Sequence, residues 1–205
     1  MTSSSEGAAP VHVDVAFAAT GGPVPIDHGY PLFGALCRAL GNLHGAEWLA
    51  VHPLVGVAIS SGDLSPSKRG GVLRLRVRAD RLGEVLPLAG KTLDIAGVKL
   101  HLGTSQLYAL QPSAVVRSRM VVIKGYTEPE LFEPRVSREL ESKGIKASVQ
   151  LGRRRIVTID ARKIVGFEVT LGALSDVDSL RVQSEGLGGR RRFGCGVFHP
   201  VRGGQ

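Results

Sequence analysis

The chain runs one order of hydrophobic patterns twice, and a doubled order of this kind leaves few folds open to it. In the first half, residues 11–20 (VHVDVAFAAT) alternate apolar and other side chains as a strand does. Residues 27–40 then place Leu32, Phe33, Leu36, Cys37 and Leu40 at helical spacing, with Asp27 as the expected cap and Gly41 as the stop. Residues 48–59 read as a second strand, 60–71 as a Ser/Gly/Pro/Lys loop, and 72–78 (VLRLRVR) as a strictly alternating strand with Arg74, Arg76 and Arg78 on one face. A short helix over 80–88 and a hairpin over 92–110, turning at Ala96-Gly97, complete the half. The order then restarts: a strand at 114–123, a helix at 128–143 closed by Gly144, a hairpin of 154–160 and 164–171, a helix at 175–185 opened by Ser175-x-x-Asp178, and a last strand at 197–201. Each half is β-α-β-β-α-β, the ferredoxin-like unit. The expected fold is α+β, with two tandem ferredoxin-like units. A leader occupies residues 1–10, the units occupy 11–111 and 112–205, and Gln111-Pro112-Ser113 is the joint.

Charge divides along the same line. The formal net charge is +8, but residues 1–111 hold 9 Lys/Arg against 8 Asp/Glu, while 112–205 hold 17 against 10. A basic half beside a neutral half points to a polyanion met mainly by the C-terminal unit, or to a solvated basic surface. Apolar residues make up 43% of the chain, which suits a packed core. No stretch approaches the roughly 18 apolar residues of a membrane span. Met1 to Pro10 lacks the basic-then-apolar order of a signal peptide. Cys37 and Cys195 are too few for a disulfide framework or a zinc site. A reduced, cytoplasmic location is expected, with no membrane partner.

The C-terminal unit carries the most distinctive segment. Gly186-Leu187-Gly188-Gly189-Arg190-Arg191-Arg192-Phe193-Gly194-Cys195-Gly196-Val197-Phe198 sets two Gly-apolar-Gly units about three arginines. Glycine lets a backbone come close to a ligand, and the arginine fork fits phosphate. A dinucleotide fingerprint follows a strand and opens a helix; this segment follows a helix and opens a strand. It reads as a phosphate-backbone clamp made of Gly186, Gly188, Gly189, Gly194 and Gly196 with Arg190, Arg191 and Arg192, or else as a turn with surface arginines. Further phosphate candidates are Arg153, Arg154 and Arg155 in a turn entering a strand, Arg117 and Arg119 on a strand, and Arg135 and Arg138 on one helix face. The Arg74, Arg76 and Arg78 face could also track phosphates. With only 5% aromatic residues, recognition leans on phosphate contacts and shape.

The Gly-apolar-Gly pattern in a doubled ferredoxin-like chain resembles the CRISPR-associated RAMP proteins, and within them the Cas-six family of repeat-processing endoribonucleases. Residues 24–36 (VPIDHGYPLFGAL) are similar to that family's approach to its first helix. The segments 47–53 (EWLAVHP), 87–93 (PLAGKTL), 118–125 (SRMVVIKG) and 186–198 resemble its Myxan-type branch. The likeness runs from about Val11 to Val201. It implies metal-independent cleavage of precursor CRISPR RNA within each repeat. A 2′-hydroxyl attacks the adjacent phosphate and leaves a 2′,3′-cyclic phosphate or 3′-phosphate and a 5′-hydroxyl. The implied partners are CRISPR repeat RNA, as precursor and as product guide, and a Cascade-type multisubunit complex. A non-catalytic RNA-binding subunit of an interference complex is the rival reading. No cofactor is implied, and no metal site.

Such chemistry needs a base, an acid and positive charge at the phosphate, and histidine suits the first two. The family's base is usually a histidine in or just after the first helix. That implies His44, in Gly41-Asn42-Leu43-His44-Gly45, ahead of His28 and His52. His28 has a helix-terminus hydrogen bond as its alternative role, and His52 could face the core. Tyr30 resembles an active-site tyrosine of some members; its alternative is half-buried packing. Cys37 fits the core, and His12, His101 and His199 fit structural places in strands.

Overall fold

The computed structural model describes residues 11–41, 43–55, 57–59, 62–65 and 71–201. The leader 1–10 and Asn42 lie outside them. Alternation in β1 (His12–Gly21) turns Val15, Phe17 and Ala19 into a core, while Asp14 and Ala16 face the other way. After β2 (Val24–Pro25) comes α1 (Gly29–Leu40), whose Leu32, Phe33 and Leu36 cover that core. There follow β3 (Leu49–Val51), β4 (Val57–Ala58), β5 (Asp63–Ser65), β6 (Gly71–Arg78), the one-turn α2 (Leu82–Val85), β7 (Thr92–Ile95) and β8 (Val98–Ala109). The strands pair antiparallel in the order β3-β6-β1-β8-β7, and β2-β5-β4 form a small side sheet.

The second unit repeats the plan. It comprises β9 (Val116–Val121), α3 (Pro129–Ser142), β10 (Ser148–Ile159), β11 (Arg162–Gly172), α4 (Asp176–Glu185) and β12 (His199–Pro200), paired β10-β11-β9-β12. In both sheets the unit's third strand lies between its first and second, and its fourth flanks its first, all antiparallel. This is the split β-α-β arrangement of the ferredoxin-like fold. A second core gathers Val116, Phe132, Val136, Phe167, Val182 and Phe198, with the Phe132 and Phe167 rings 4.7 Å apart.

Several expected boundaries move. The strand expected over 48–59 pairs in the main sheet only at Leu49–Val51, because Pro53 cannot donate to a ladder. The loop expected over 60–71 contains β5. The helix expected over 80–88 is α2 between 3₁₀ turns at Ala79–Arg81 and Leu86–Leu88, with Pro87 inside the second turn. Helix α1 starts at Gly29, with His28 and not Asp27 in the cap position. Strand β10 begins at Ser148, so Arg153, Arg154 and Arg155 sit inside it, at a bulge between Leu151 and Arg154, and not in a turn. The last strand shortens to His199–Pro200.

Arg74, Arg76 and Arg78 do share one sheet face, but that face is not a phosphate track. Arg76 is 1% exposed. Its Nε and Nη2 donate to the Asp14 carboxylate at 2.7 and 3.0 Å, and its Nη1 donates to the Gln183 and Phe198 carbonyls at 2.7 and 2.6 Å. Asp14 belongs to the first sheet; Gln183 and Phe198 belong to the second unit. One guanidinium thus bolts the two units together. Arg78 is occupied by Asp80, and Arg74 lies over the Tyr108 ring at 5.3 Å. Burial alone would raise the Asp14 carboxyl, but the bonds from His52 and Arg76 outweigh it and hold it well below the usual carboxylate range.

Removing one member of a buried, hydrogen-bonded ion pair typically costs about 3–5 kcal/mol, because the other charge is left unmatched. Arg76→Met is expected to lose that much in urea unfolding. Arg76→Met combined with Asp14→Leu should recover more than half of it. Equal losses in the single and double variants would show that the pair is not the source.

Candidate active site between the units

A cleft of about 230 Å³ opens where the end of β3 and the start of α1 meet β9 and β10. Asp27, His28, Tyr30 and His52 come from the first unit; Arg119, Arg154 and Arg155 come from the second; Phe193, Gly194 and Cys195 of the glycine-rich segment form one end. Asp27 ties the walls together, since its carboxylate accepts from the Thr158 amide of β10 at 2.6 Å. That contact, between residues far apart in sequence, explains why Asp27 is not the helix cap.

The four candidate catalytic residues separate by burial. His28 is 2% exposed, and both its ring nitrogens are engaged: Nε2 accepts from the Leu54 amide at 2.9 Å, so Nδ1 carries the proton and donates to the Pro25 carbonyl at 2.9 Å. Burial lowers its pKa. The histidine is a neutral peg holding the start of α1 and has no nitrogen left for a substrate. His52 is buried at the sheet face, with Nε2 3.5 Å from Asp14, and burial pushes it down to about 4. Tyr30 is exposed at the cleft mouth, its ring 5.8 Å from Phe193, and its hydroxyl has no hydrogen-bond partner among the described residues. His44 is exposed but does not line the cleft; its ring meets the edge of Phe33 at 5.6 Å. Phe33 meets Phe193 at 5.2 Å. Tyr30 and His44 therefore stand at the two ends of one aromatic ledge, Tyr30–Phe193–Phe33–His44.

The glycine-rich segment is a brace, and its geometry departs from the phosphate clamp expected of it. The amides of all five candidate glycines are taken within the protein: Gly186 by Val182, Gly188 by Glu139, Gly189 by Val122, Gly194 by Arg191 and Gly196 by Met120. Gly188 and Gly196 have φ of +67° and +66°, and a Cβ there would strike the Val122 and Leu187 carbonyl oxygens. Glycine is needed because the segment packs backbone to backbone. The three arginines separate as well. Arg190 is exposed, at a left-handed φ of 70°. Arg191 turns inward to the Ser184 carbonyl at 2.6 Å, and burial with the nearby Arg76 charge lowers it to about 10. Arg192 donates to the Leu43 carbonyl at 3.2 Å and lies 5.5 Å over Phe33, which pins the loop holding His44. Two of the three guanidiniums are structural, a role that Phe193 shares. Its place as an apolar residue among glycines was the only sequence signal for it.

The remaining basic candidates line the second sheet and α3. Arg153 and Arg154 are exposed; Arg117 and Arg155 flank Glu168 at 3.4 and 3.2 Å. Arg119 is half-buried and makes no hydrogen bond or ion pair among the described residues. Arg135 covers the Tyr126 ring at 5.9 Å, and Arg138 is exposed. Among the described residues no three His, Cys, Asp or Glu side chains converge as metal ligands do, and no helix is long and apolar enough to cross a membrane.

Two split β-α-β sheets joined through a glycine-rich brace make a RAMP-type fold. A RAMP protein that binds different RNA substrates superposes with a TM-score of 0.67 at 12% identity, covering 94% of this chain and all of that one. A Cas6-related protein of Pyrococcus furiosus gives 0.66 at 12% identity, over 94% of this chain and 99% of its own. The chain belongs to the Cas6 family: the family model described as Cas6 Crispr matches residues 13–203. It is 43% identical over 190 residues to the CRISPR-associated endonuclease Cas6 of Myxococcus xanthus (strain DK1622), covering 93% of this chain and 82% of that one.

Two outcomes follow from this packing. The unfolded chain takes up the His52 proton near pH 6.5, whereas the folded chain refuses it until about pH 4. Stability is therefore full above about pH 6.5 and falls as the pH drops toward 4, by on the order of 3 kcal/mol from this residue. Urea unfolding near pH 7 and near pH 4.5 measures the loss, and His52→Gln should reduce it, leaving the smaller share of His28 and His199, whose pKa values burial also lowers. Gly29→Ala reverses an ordinary rule. Alanine usually stabilises a helix over glycine by about 1 kcal/mol, but here its Cβ meets the Phe193 carbonyl oxygen. A loss of about 1–3 kcal/mol is expected, and a gain would show that the brace yields freely.

Proposed function

We propose that the protein is a metal-independent endoribonuclease that binds CRISPR repeat RNA and cuts precursor CRISPR RNA within each repeat. The 43% identity to a Cas6 endonuclease across 93% of the chain is the observation that carries this reading. The site geometry supports it. His44 and Tyr30 are the two candidates whose rings reach solvent, at opposite ends of one aromatic ledge beside an arginine-lined cleft. His44 takes the proton from the 2′-hydroxyl, the freed oxygen attacks phosphorus, and the bond to the 5′-oxygen breaks. Tyr30 donates its proton to that leaving oxygen. The products are a 2′,3′-cyclic phosphate, which opens to a 3′-phosphate, and a 5′-hydroxyl. His28 and His52 support the fold and do not serve as the base.

In the same reading, units 11–111 and 112–205 divide the work. The first supplies His44 and Tyr30. The second supplies phosphate contacts from Arg190, Arg117, Arg119 and Arg153–Arg155, with Arg135 and Arg138 facing the RNA from α3. Arg191, Arg192 and the glycines hold these groups in place. The mature guide passes to a Cascade-type assembly, in the cytoplasm.

Cleavage of the genome's own repeat RNA is expected to run at full rate in excess chelator. A loss there that magnesium restores would overturn the metal-free mechanism. His44→Ala should leave binding nearly intact and slow single-turnover cleavage at least about a hundredfold, the usual worth of a general base. An unchanged rate removes His44 from the mechanism. Binding without cleavage by the wild type would favour a non-catalytic RAMP subunit.

A further inference from the structure

We propose that Arg119 is the catalytic cation, binding a non-bridging oxygen of the scissile phosphate at the cleft face beside Tyr30. This rests on the reading of the chain as a repeat-RNA endoribonuclease. Basic side chains on this surface differ in whether their charge is already answered within the protein. Arg76 is answered by Asp14, Arg78 by Asp80, and Arg117 and Arg155 by Glu168. Arg191 and Arg192 are bonded to backbone carbonyls. Arg119 is half-buried on β9, lines the cleft, and has no hydrogen bond or ion pair among the described residues. A half-buried guanidinium has lost part of its hydration, and an anion bound there makes good that loss.

The surroundings sharpen the assignment. Burial, then the charge of Arg155, lowers the Arg119 pKa; Cys195 and the Asp27 and Glu168 carboxylates act the other way without outweighing them, and none of these is bonded to Arg119. Glu168 answers part of the Arg155 charge, but the Arg155 Nε is buried with no partner. The unmet Arg155 Nε and the Arg119 guanidinium, which has no bonded partner among the described residues, thus line one space, and the exposed Arg154 lines it too. Tyr30, whose hydroxyl is also without a partner among the described residues, lines the same cleft. A phosphate at the mouth of this cleft, on the ledge between Tyr30 and His44, receives Arg119 on a non-bridging oxygen and Tyr30 at the leaving 5′-oxygen, with the 2′-hydroxyl turned toward His44. Charge on the non-bridging oxygens grows as the 2′-oxygen attacks, so a preorganised cation acts more on the transition state than on bound RNA.

The test uses the full chain, repeat RNA in chelator, and the same RNA with a single phosphorothioate of defined configuration at the scissile linkage. Arg119→Ala is expected to slow single-turnover cleavage about 100- to 1,000-fold, with a rise in Kd of less than about tenfold, the scale of one phosphate contact. Because Arg119 has no internal bond to lose, its thermal midpoint should stay near the wild-type value. Wild type should discriminate between the two phosphorothioate isomers, and Arg119→Ala should lose that discrimination. Free guanidinium should restore part of the rate to Arg119→Ala and none to wild type. Arg119→Lys should fall between the two. Wild-type cleavage by Arg119→Ala overturns the assignment, as does slow cleavage with isomer discrimination intact and no guanidinium rescue, which would mark a purely structural role. Wild-type protein that leaves the RNA uncut would sink the endoribonuclease reading itself; a wild type that cuts and a variant that cuts equally well would sink only this assignment.

Discussion

The two units of this protein are held to each other by one buried ion pair. Arg76 reaches from β6, beside Asp14 of β1, to two carbonyls of the second unit, those of Gln183 near the end of α4 and Phe198 at the end of the glycine-rich segment. A charge that far from water persists only when its donors are met, and here they are met by both units together. The relative placement of the sheets is therefore tied to the internal satisfaction of one side chain. Asp27, accepting from the Thr158 amide, adds a second tie on the cleft side.

The glycine-rich segment works within that frame. It leaves α4, bonds to Met120 and Val122 at the C-terminal end of β9, and sets Phe193 against Phe33 of the first unit. Close backbone contact is the reason for its glycines, and Arg191 and Arg192 fasten its middle to α4 and to the Leu43 loop. Arg192 also holds Leu43, the neighbour of His44, so a residue that looks like a nucleic-acid contact instead sets the position of the proposed base. The segment connects the two units' contributions, and the cleft beside it offers the cations.

The fold was legible in the sequence because it is written in local periodicity. Strict alternation in Val72–Arg78 and helical spacing in α1 survive any context, and the order they spell leads to the split β-α-β sheets. Boundaries slipped where a local rule met a tertiary partner: Asp27 is a good cap by type, but Thr158 claims it. The site was less legible for the same reason. Alternation correctly put Arg74, Arg76 and Arg78 on one face, yet it could not say that the other unit covers Arg76. His28, His44 and His52 look alike as histidines near the first helix, and only the Leu54 amide, the Asp14 carboxylate and the Phe33 ring tell them apart. Arg119 was legible as a basic residue on a strand, but its lack of a partner is visible only in three dimensions.

The glycine-rich segment is an internal brace, and in the proposed function the cleft wall holds the RNA. Backbone hydrogen exchange, with and without repeat RNA made uncleavable by a 2′-deoxy group at the scissile nucleotide, tests it directly. The amides of Gly188, Gly189 and Gly196 should already be protected in the free protein and change little with RNA, while new protection falls on β10 around Arg153–Arg155 and at the start of α1. Fast exchange at those glycines in the free protein, becoming slow only when RNA is bound, would contradict it and restore the segment as a phosphate cradle.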